Sequence, residues 1–146
     1  MIGLIQRVSV ASVSVNGLVI GQIDQGILAL LAVEKTDTTT QADRLLQRIL
    51  DYRIFPDADD KMNLSLRDID GGLLVVPQFT LAADTEKGKR PSFAAAAPPE
   101  MGRALFEYVQ QQAGAIHPHC QFGQFGADMK VMLINEGPVT FSLRCN

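Results

Sequence analysis

The alternation of apolar and polar positions sets the first elements. Val8, Val10, Ser12 and Ser14 alternate with Val13 and Val15 at a period of two, and Asn16-Gly17 follows, the strongest short hairpin signal. Leu18-Val19-Ile20 returns as the second strand. Gly26 to Val33 is a continuous apolar run without alternation, which predicts a strand covered on both faces. Beyond the N-cap choices between Thr36 and Thr40, the residues Ala42, Leu45, Leu46, Ile49 and Leu50 recur at helical spacing. That helix must stop before Phe55-Pro56, because the residue preceding a proline is pushed out of the helical region.

Asp57 to Lys61 reads as a polar loop, Asp70-Gly71-Gly72 as a turn, and Leu73 to Val76 as a second buried strand. A long irregular stretch from Ala82 to Pro99 holds Gly88, Pro91, Pro98 and Pro99, and loops of this length in a compact domain are often functional. A second helix starts near Pro99 and runs to Gly114 through Met101, Leu105, Tyr108 and Val109. Three strand-like runs close the chain, around Gln121-Phe122, Met129 to Ile134 and Val139 to Leu143. The resulting order, ββ-(βα)2-βββ, predicts an α/β domain with a mixed sheet and two main helices. Its 146 residues make one domain, 1–146, without repeat or linker.

Composition narrows the setting. Hydrophobic residues make up 47% and charged residues 20%, ordinary values for a soluble globular protein, and no run nears the roughly 18 apolar residues of a membrane span. The first residues enter strand-like sequence without a signal-peptide pattern, so the expected location is the cytoplasm. Cys120 and Cys145 read as thiols. A net charge of −3 argues against a general nucleic-acid binder. It leaves room for contact with an RNA end through a local basic patch at Lys87, Lys89 and Arg90.

The familiar catalytic sets are missing. The only histidines, His117 and His119, lie beside Cys120, with no nucleophile elbow and no partner base. A metal reading of His117, His119 and Cys120 lacks a persuasive fourth ligand and competes with a solvated turn before a strand. Asp57, Asp59 and Asp60 lack the Gly and Glu of a calcium loop and read as a hydrated surface.

Two segments remain. Val76-Pro77 ends a buried strand, so Gln78, Phe79 and Thr80 sit where the strand opens out, the place where α/β sheets gather ligands. Taken alone, they read first as structural: Phe79 as a core ring, Gln78 as a turn cap and Thr80 as a strand residue. Asn135-Glu136-Gly137-Pro138 interrupts two strands and reads either as a turn or as a bare glycine carbonyl aimed by a proline.

Val76-Pro77-Gln78-Phe79-Thr80-Leu81 resembles the pattern Ser-Gln-Phe-Thr-Leu, and Asn135-Glu136-Gly137-Pro138-Val139-Thr140 resembles Asn-x-Gly-Pro-Val-Thr. These are the two signatures of the D-aminoacyl-tRNA deacylases. The similarity extends through Gln6-Arg7-Val8, Ala82-Ala83-Asp84, Arg90-Pro91-Ser92-Phe93 and Phe125 to Met129, and covers essentially the whole chain. One departure is Pro77, where the family usually has serine, so no hydroxyl is available there.

The resemblance implies a strongly curved sheet and hydrolysis of the ester between a D-amino acid and the terminal adenosine of tRNA. Glycine mischarged on an alanine tRNA is a further implied substrate, and no cofactor or metal is called for. It also implies a homodimer in which the Gly137-Pro138 pair, with a cis bond, enters the partner's active site. On this resemblance Gln78, Phe79 and Thr80 would carry catalysis, with the Phe79 N–H as oxyanion donor and Thr80 as a positioning residue. Gly137 and Pro138 would bind the substrate's amino group and reject L-amino acids. Arg7, Pro77, Met129 and Asn135 would support the site, while Lys87, Lys89 and Arg90 would contact tRNA. Three other readings stay open: a related editing enzyme acting on L-aminoacyl or glycyl esters, a non-enzymatic RNA or protein adaptor, and a zinc hydrolase using His117 and His119.

Overall fold

A computed structural model describes residues 1–146. In chain order the elements are β1 (Ile2–Val15), β2 (Leu18–Ile23), β3 (Gly26–Ala32), α1 (Thr39–Asp51), β4 (Phe55–Pro56), β5 (Met62–Leu64), α2 (Leu66–Ile69), β6 (Gly72–Pro77), a 3-10 turn (Phe79–Ala82), α3 (Pro99–Ile116), β7 (Cys120–Phe122) and β8 (Met129–Arg144). The main sheet is mixed: β1 runs antiparallel to β2, β3 and β8, whereas β3–β6 and β6–β7 are parallel. The α/β class, the mixed sheet and the two long helices match the reading of the sequence.

The sheet curls strongly. Gly21 of β2, at one end of the strand order, lies against Leu74 of β6 and the Phe122 carbonyl of β7, at the other. Val8, Ala11, Val13, Leu28, Leu74 and Val76 fill the inside of the curl. The two main helices cover the outside. Leu45, Leu46, Ile49 and Leu50 of α1 and Leu105, Phe106 and Val109 of α3 bury their apolar stripes in one cluster with Ile5, Ile27, Leu73 and Val75. Thr38 caps α1 in a reciprocal box with Gln41, and the Tyr108 hydroxyl donates to Asp43 across the two helices.

Several expectations need correction. The last two of the three closing strand runs are one strand, β8, which stays paired with β1 through the Asn135–Pro138 segment. Gln6 pairs with Thr140 and Val8 with Asn135, so Glu136 to Val139 bulge out opposite Arg7. The Asn135 side chain closes the base of the bulge: its Oδ1 accepts from the Val139 N–H at 2.7 Å, and its Nδ2 donates to Thr140 Oγ1 at 3.0 Å. The small β4–β5 hairpin and α2 were not anticipated, although Ser65 and Asp68 form a capping box that opens α2.

His117 is likewise no solvated turn. It is 3% exposed and caps the end of α3, with its Nε2 2.7 Å from the Gly71 carbonyl. Exposed His119 faces Asp70, and burial pushes the Cys120 thiol up to about 11. No three His, Cys, Asp or Glu side chains converge here or elsewhere. No helix is long and apolar enough to cross a membrane.

Glycine is required where β3 and β6 begin side by side, because a Cβ on Gly26 would fall on the Gly72 carbonyl. Gly114 of α3, by contrast, faces open space. Gly26→Ala should therefore destabilise the fold by about 2–3 kcal/mol, while Gly114→Ala should stabilise it by about 0.5–1 kcal/mol. Urea unfolding of the two variants beside the parent checks both signs.

Candidate active site

A cleft of about 500 Å³ opens at the C-terminal ends of β3 and β6. The ladder stops there. The Gln78 N–H gives its last bond to the Leu31 carbonyl at 2.7 Å, and Phe79 begins a 3-10 turn. Pro77 stands at the end of β6 against Leu31, where its missing N–H ends the strand. The Phe79 N–H belongs to the first turn of this short helix, whose leading N–H groups have no partner within the turn.

Gln78 Nε2 donates to Thr80 Oγ1 at 2.6 Å. The neighbour of the Thr80 hydroxyl is therefore an amide, which cannot take its proton, and the arrangement orients the hydroxyl without activating it.

The opposite wall joins residues distant in sequence. Gly102 and Phe106 come from α3, and Phe125, Ala127 and Met129 from the segment linking β7 to β8. Gly102 lets the Phe125 ring approach, since a Cβ there would lie 3.1 Å from its Cζ. Met129 is held at the base, with its Sδ 3.4 Å from the Gln124 N–H that points at it. Among the lining residues the one ionisable side chain is Asp128, which is paired with Lys130 at 3.2 Å. The walls offer apolar surface, an amide, one carboxylate and main-chain groups, and no nucleophile–base pair.

Acidity is shifted at four places, all away from this cleft. The Asn63 amide holds Asp57 below the usual carboxylate range, and the Ser65 N–H does the same for Asp68. The hydrogen bond to Asp43 raises Tyr108, and burial raises Cys120.

The second predicted segment forms a separate group. Gly137 and Pro138 are exposed, joined by a cis peptide bond, and line no part of the cleft. Gly137 has φ +132°, and a Cβ there would lie 2.8 Å from Val139 Cγ2 and 3.1 Å from Arg7 Nη2. Only glycine suits this position. The Arg7 guanidinium braces the bulge, giving Nε to the Glu136 carbonyl at 3.0 Å and Nη1 to the Ile54 carbonyl at 2.7 Å.

The expected site residues thus fall into two assemblies. Pro77, Gln78, Phe79 and Met129 line the cleft, with Thr80 bonded to Gln78, while Arg7, Asn135, Gly137 and Pro138 build the bulge. Lys87, Lys89 and Arg90 lie exposed in the loop after the 3-10 turn, beyond a two-way backbone bridge between Asp84 and Ser92. The reading of the sequence missed Gly102, Phe106, Phe125 and Ala127. Phe125 and Ala127 lay within a segment already singled out, whereas Gly102 and Phe106 read only as helix positions.

Known proteins share the whole architecture. Residues 4–144 match the family described as D-Tyr-tRNA(Tyr) deacylase. A D-aminoacyl-tRNA deacylase of Pseudomonas putida (strain GB-1) is 59% identical over 144 residues, 99% of each chain. One of Teredinibacter turnerae is 60% identical over 140 residues, 96% of this chain and 97% of its own. Among solved structures, the c-Myc DNA Unwinding Element Binding Protein superposes with a TM-score of 0.93 at 34% identity, over 100% of this chain and 99% of its own. A probable eukaryotic D-amino acid tRNA deacylase superposes at 0.78 with 17% identity over 97% and 98%, a likeness of fold alone. With nearly its full length matched in sequence and in fold, the chain belongs to the D-Tyr-tRNA(Tyr) deacylase family.

Proposed function

We propose that this member of the D-aminoacyl-tRNA deacylase family hydrolyses its ester substrate with main-chain groups, in a site shared between two copies of the chain. The observation that carries the reading is the separation of the two assemblies: the cleft has an amide donor and no chiral filter, and the Gly137-Pro138 bulge stands outside it. A partner copy supplies the filter. β8 pairs only with β1, so no strand covers its other edge, and Val131, Met132, Ile134 and Phe141 of β8 are exposed. Long apolar edges of this kind favour association.

In this reading the cleft takes the terminal adenosine and its ester, with Gln78 helping to hold them. Water adds to the ester carbonyl, and the Phe79 N–H stabilises the oxyanion that forms, a contribution of about 3–4 kcal/mol where such donors are used. The bond from the acyl carbon to the ribose oxygen then breaks, giving the free amino acid and the tRNA hydroxyl. The one carboxylate lining the cleft, Asp128, is paired with Lys130, and the neighbouring 2′-hydroxyl of the RNA prepares the water. Thr80 positions Gln78.

The Gly137 carbonyl of the partner copy accepts from the substrate's amino group, and Pro138 fills the space that an L-side chain needs. Discrimination is by exclusion, so it is indifferent to which D-side chain is present. Glycine, with no side chain to exclude, is admitted. Arg7 and Asn135 hold the bulge in place, and Pro77 leaves the strand end without a hydroxyl. Lys87, Lys89 and Arg90 meet RNA phosphates, and the work is done in the cytoplasm, where aminoacyl-tRNA is used.

Two substitutions test the shared site. Phe79→Pro removes the N–H at a first-turn position that tolerates proline, and kcat should fall about 10²- to 10³-fold. Gly137→Ala should also inactivate the protein, by strain and by collision with Val139. Unfolded and refolded together, the two dead variants form mixed dimers with one intact site each, and about a quarter of the parent activity should return. No recovery from a mixture shown to contain mixed dimers would mean that each copy works alone. Replacing Lys87, Lys89 and Arg90 together by alanine should weaken tRNA binding and flatten its salt dependence; unchanged affinity would remove them from the interface.

A further inference from the structure

Beyond the cleft mouth lies an aromatic pair that catalysis leaves unused. The Phe79 ring is 58% exposed and the Phe93 ring 40%, although large apolar side chains are normally covered. The two rings pack against each other at a tilt, with centroids 5.1 Å apart and planes at 53°. Phe79 lines the cleft, whereas Phe93 lies outside it.

Phe93 is not a stray loop residue. The Asp84–Ser92 bridge closes the loop just before it, with backbone bonds of 2.8 and 3.0 Å. Just after it, the Lys35 N–H bonds the Ala95 carbonyl at 3.1 Å and the Ala97 N–H bonds the Val33 carbonyl at 3.0 Å, tying the segment to the end of β3. The ring is therefore presented from both sides by fixed backbone. Three residues back lies Arg90, at the end of the basic tip that also holds Lys87 and Lys89. Along the chain the cations of the tip lead into Phe93, whose ring packs on Phe79 at the wall of the apolar pocket. This is the layout of a single-stranded nucleic-acid track, in which rings stack the bases and nearby cations take the phosphates.

We propose that Phe93, leaning on Phe79, is a stacking platform for the base of the nucleotide that precedes the terminal adenosine. This inference rests on the deacylase reading of the cleft and adds a second base subsite to it. The subsite would be blind to the amino acid and would favour an ester carried on an RNA strand over the same ester on a lone nucleoside. An aromatic base platform also tolerates sequence, because every base has a stacking face.

The test compares D-tyrosyl-tRNA with D-tyrosyl-adenosine, which lacks the preceding nucleotide. In Phe93→Leu, which keeps an apolar side chain but no ring, the ratio of kcat/KM on tRNA to kcat/KM on the short ester should fall about tenfold. Phe93→Trp should restore it. The parent chain has no tryptophan, so the indole of that variant should be quenched by a cytidine–adenosine dinucleotide and much less by adenosine. An unchanged ratio, an equal fall on both esters, or equal quenching by the two ligands would overturn the proposal while leaving the deacylase reading intact. If the parent hydrolysed neither ester, that reading itself would fail, and the platform with it.

Discussion

The long antiparallel ladder between β1 and β8 is the constraint on which the rest of the structure hangs. It runs from Ile2 opposite Arg144 to Val15 opposite Met129, and its register shifts twice in close succession, between Gln6 and Val8 and between Val8 and Val10. A break inside a ladder otherwise continuous on both sides cannot drift, so the Glu136–Val139 bulge is fixed at both ends. Arg7, the β1 residue facing it, turns its guanidinium to the Glu136 and Ile54 carbonyls, and the Asn135 side chain replaces the missing ladder bonds. The bulge is consequently a rigid feature of an otherwise regular strand.

The curl of the sheet does the same for the cleft. Because β2 folds over toward β6 and β7, the link from β7 to β8 crosses the open end of β6 and brings Phe125 and Met129 opposite Phe79. Here a strand ends at Pro77, a turn begins at Phe79, and α3 supplies the far wall. The chemistry that such a place offers is mostly main chain. On the proposed reading it suits a substrate that carries its own hydroxyl beside the scissile ester, and the residues lining the cleft hold no triad.

Much of this was legible in the sequence because it follows from local rules. Alternation gave β1 and β2, the unbroken apolar runs gave β3 and β6, and helical spacing gave α1 and α3. The two site segments drew notice through proline and glycine, whose backbone limits show without a structure. What could not be read arises from tertiary packing. Nothing near Gly102 or Phe106 says that their helix faces a strand end, and the continuity of β8 through Gly137-Pro138 depends on a partner strand more than a hundred residues earlier. His117 looked solvated because a lone imidazole beside proline is usually exposed, whereas the Gly71 carbonyl gives it a buried partner. The resemblance to a family named both site segments. The structure alone divides them between two assemblies.

The central claim is that a backbone carbonyl and a proline ring choose the substrate by its configuration. Its most direct test is the rate of amino-acid release from D-tyrosyl-, L-tyrosyl- and glycyl-tRNA, measured with one preparation of the protein. The account predicts release of D-tyrosine and of glycine, with L-tyrosine slower by orders of magnitude. Equal rates on the two tyrosyl enantiomers would contradict it.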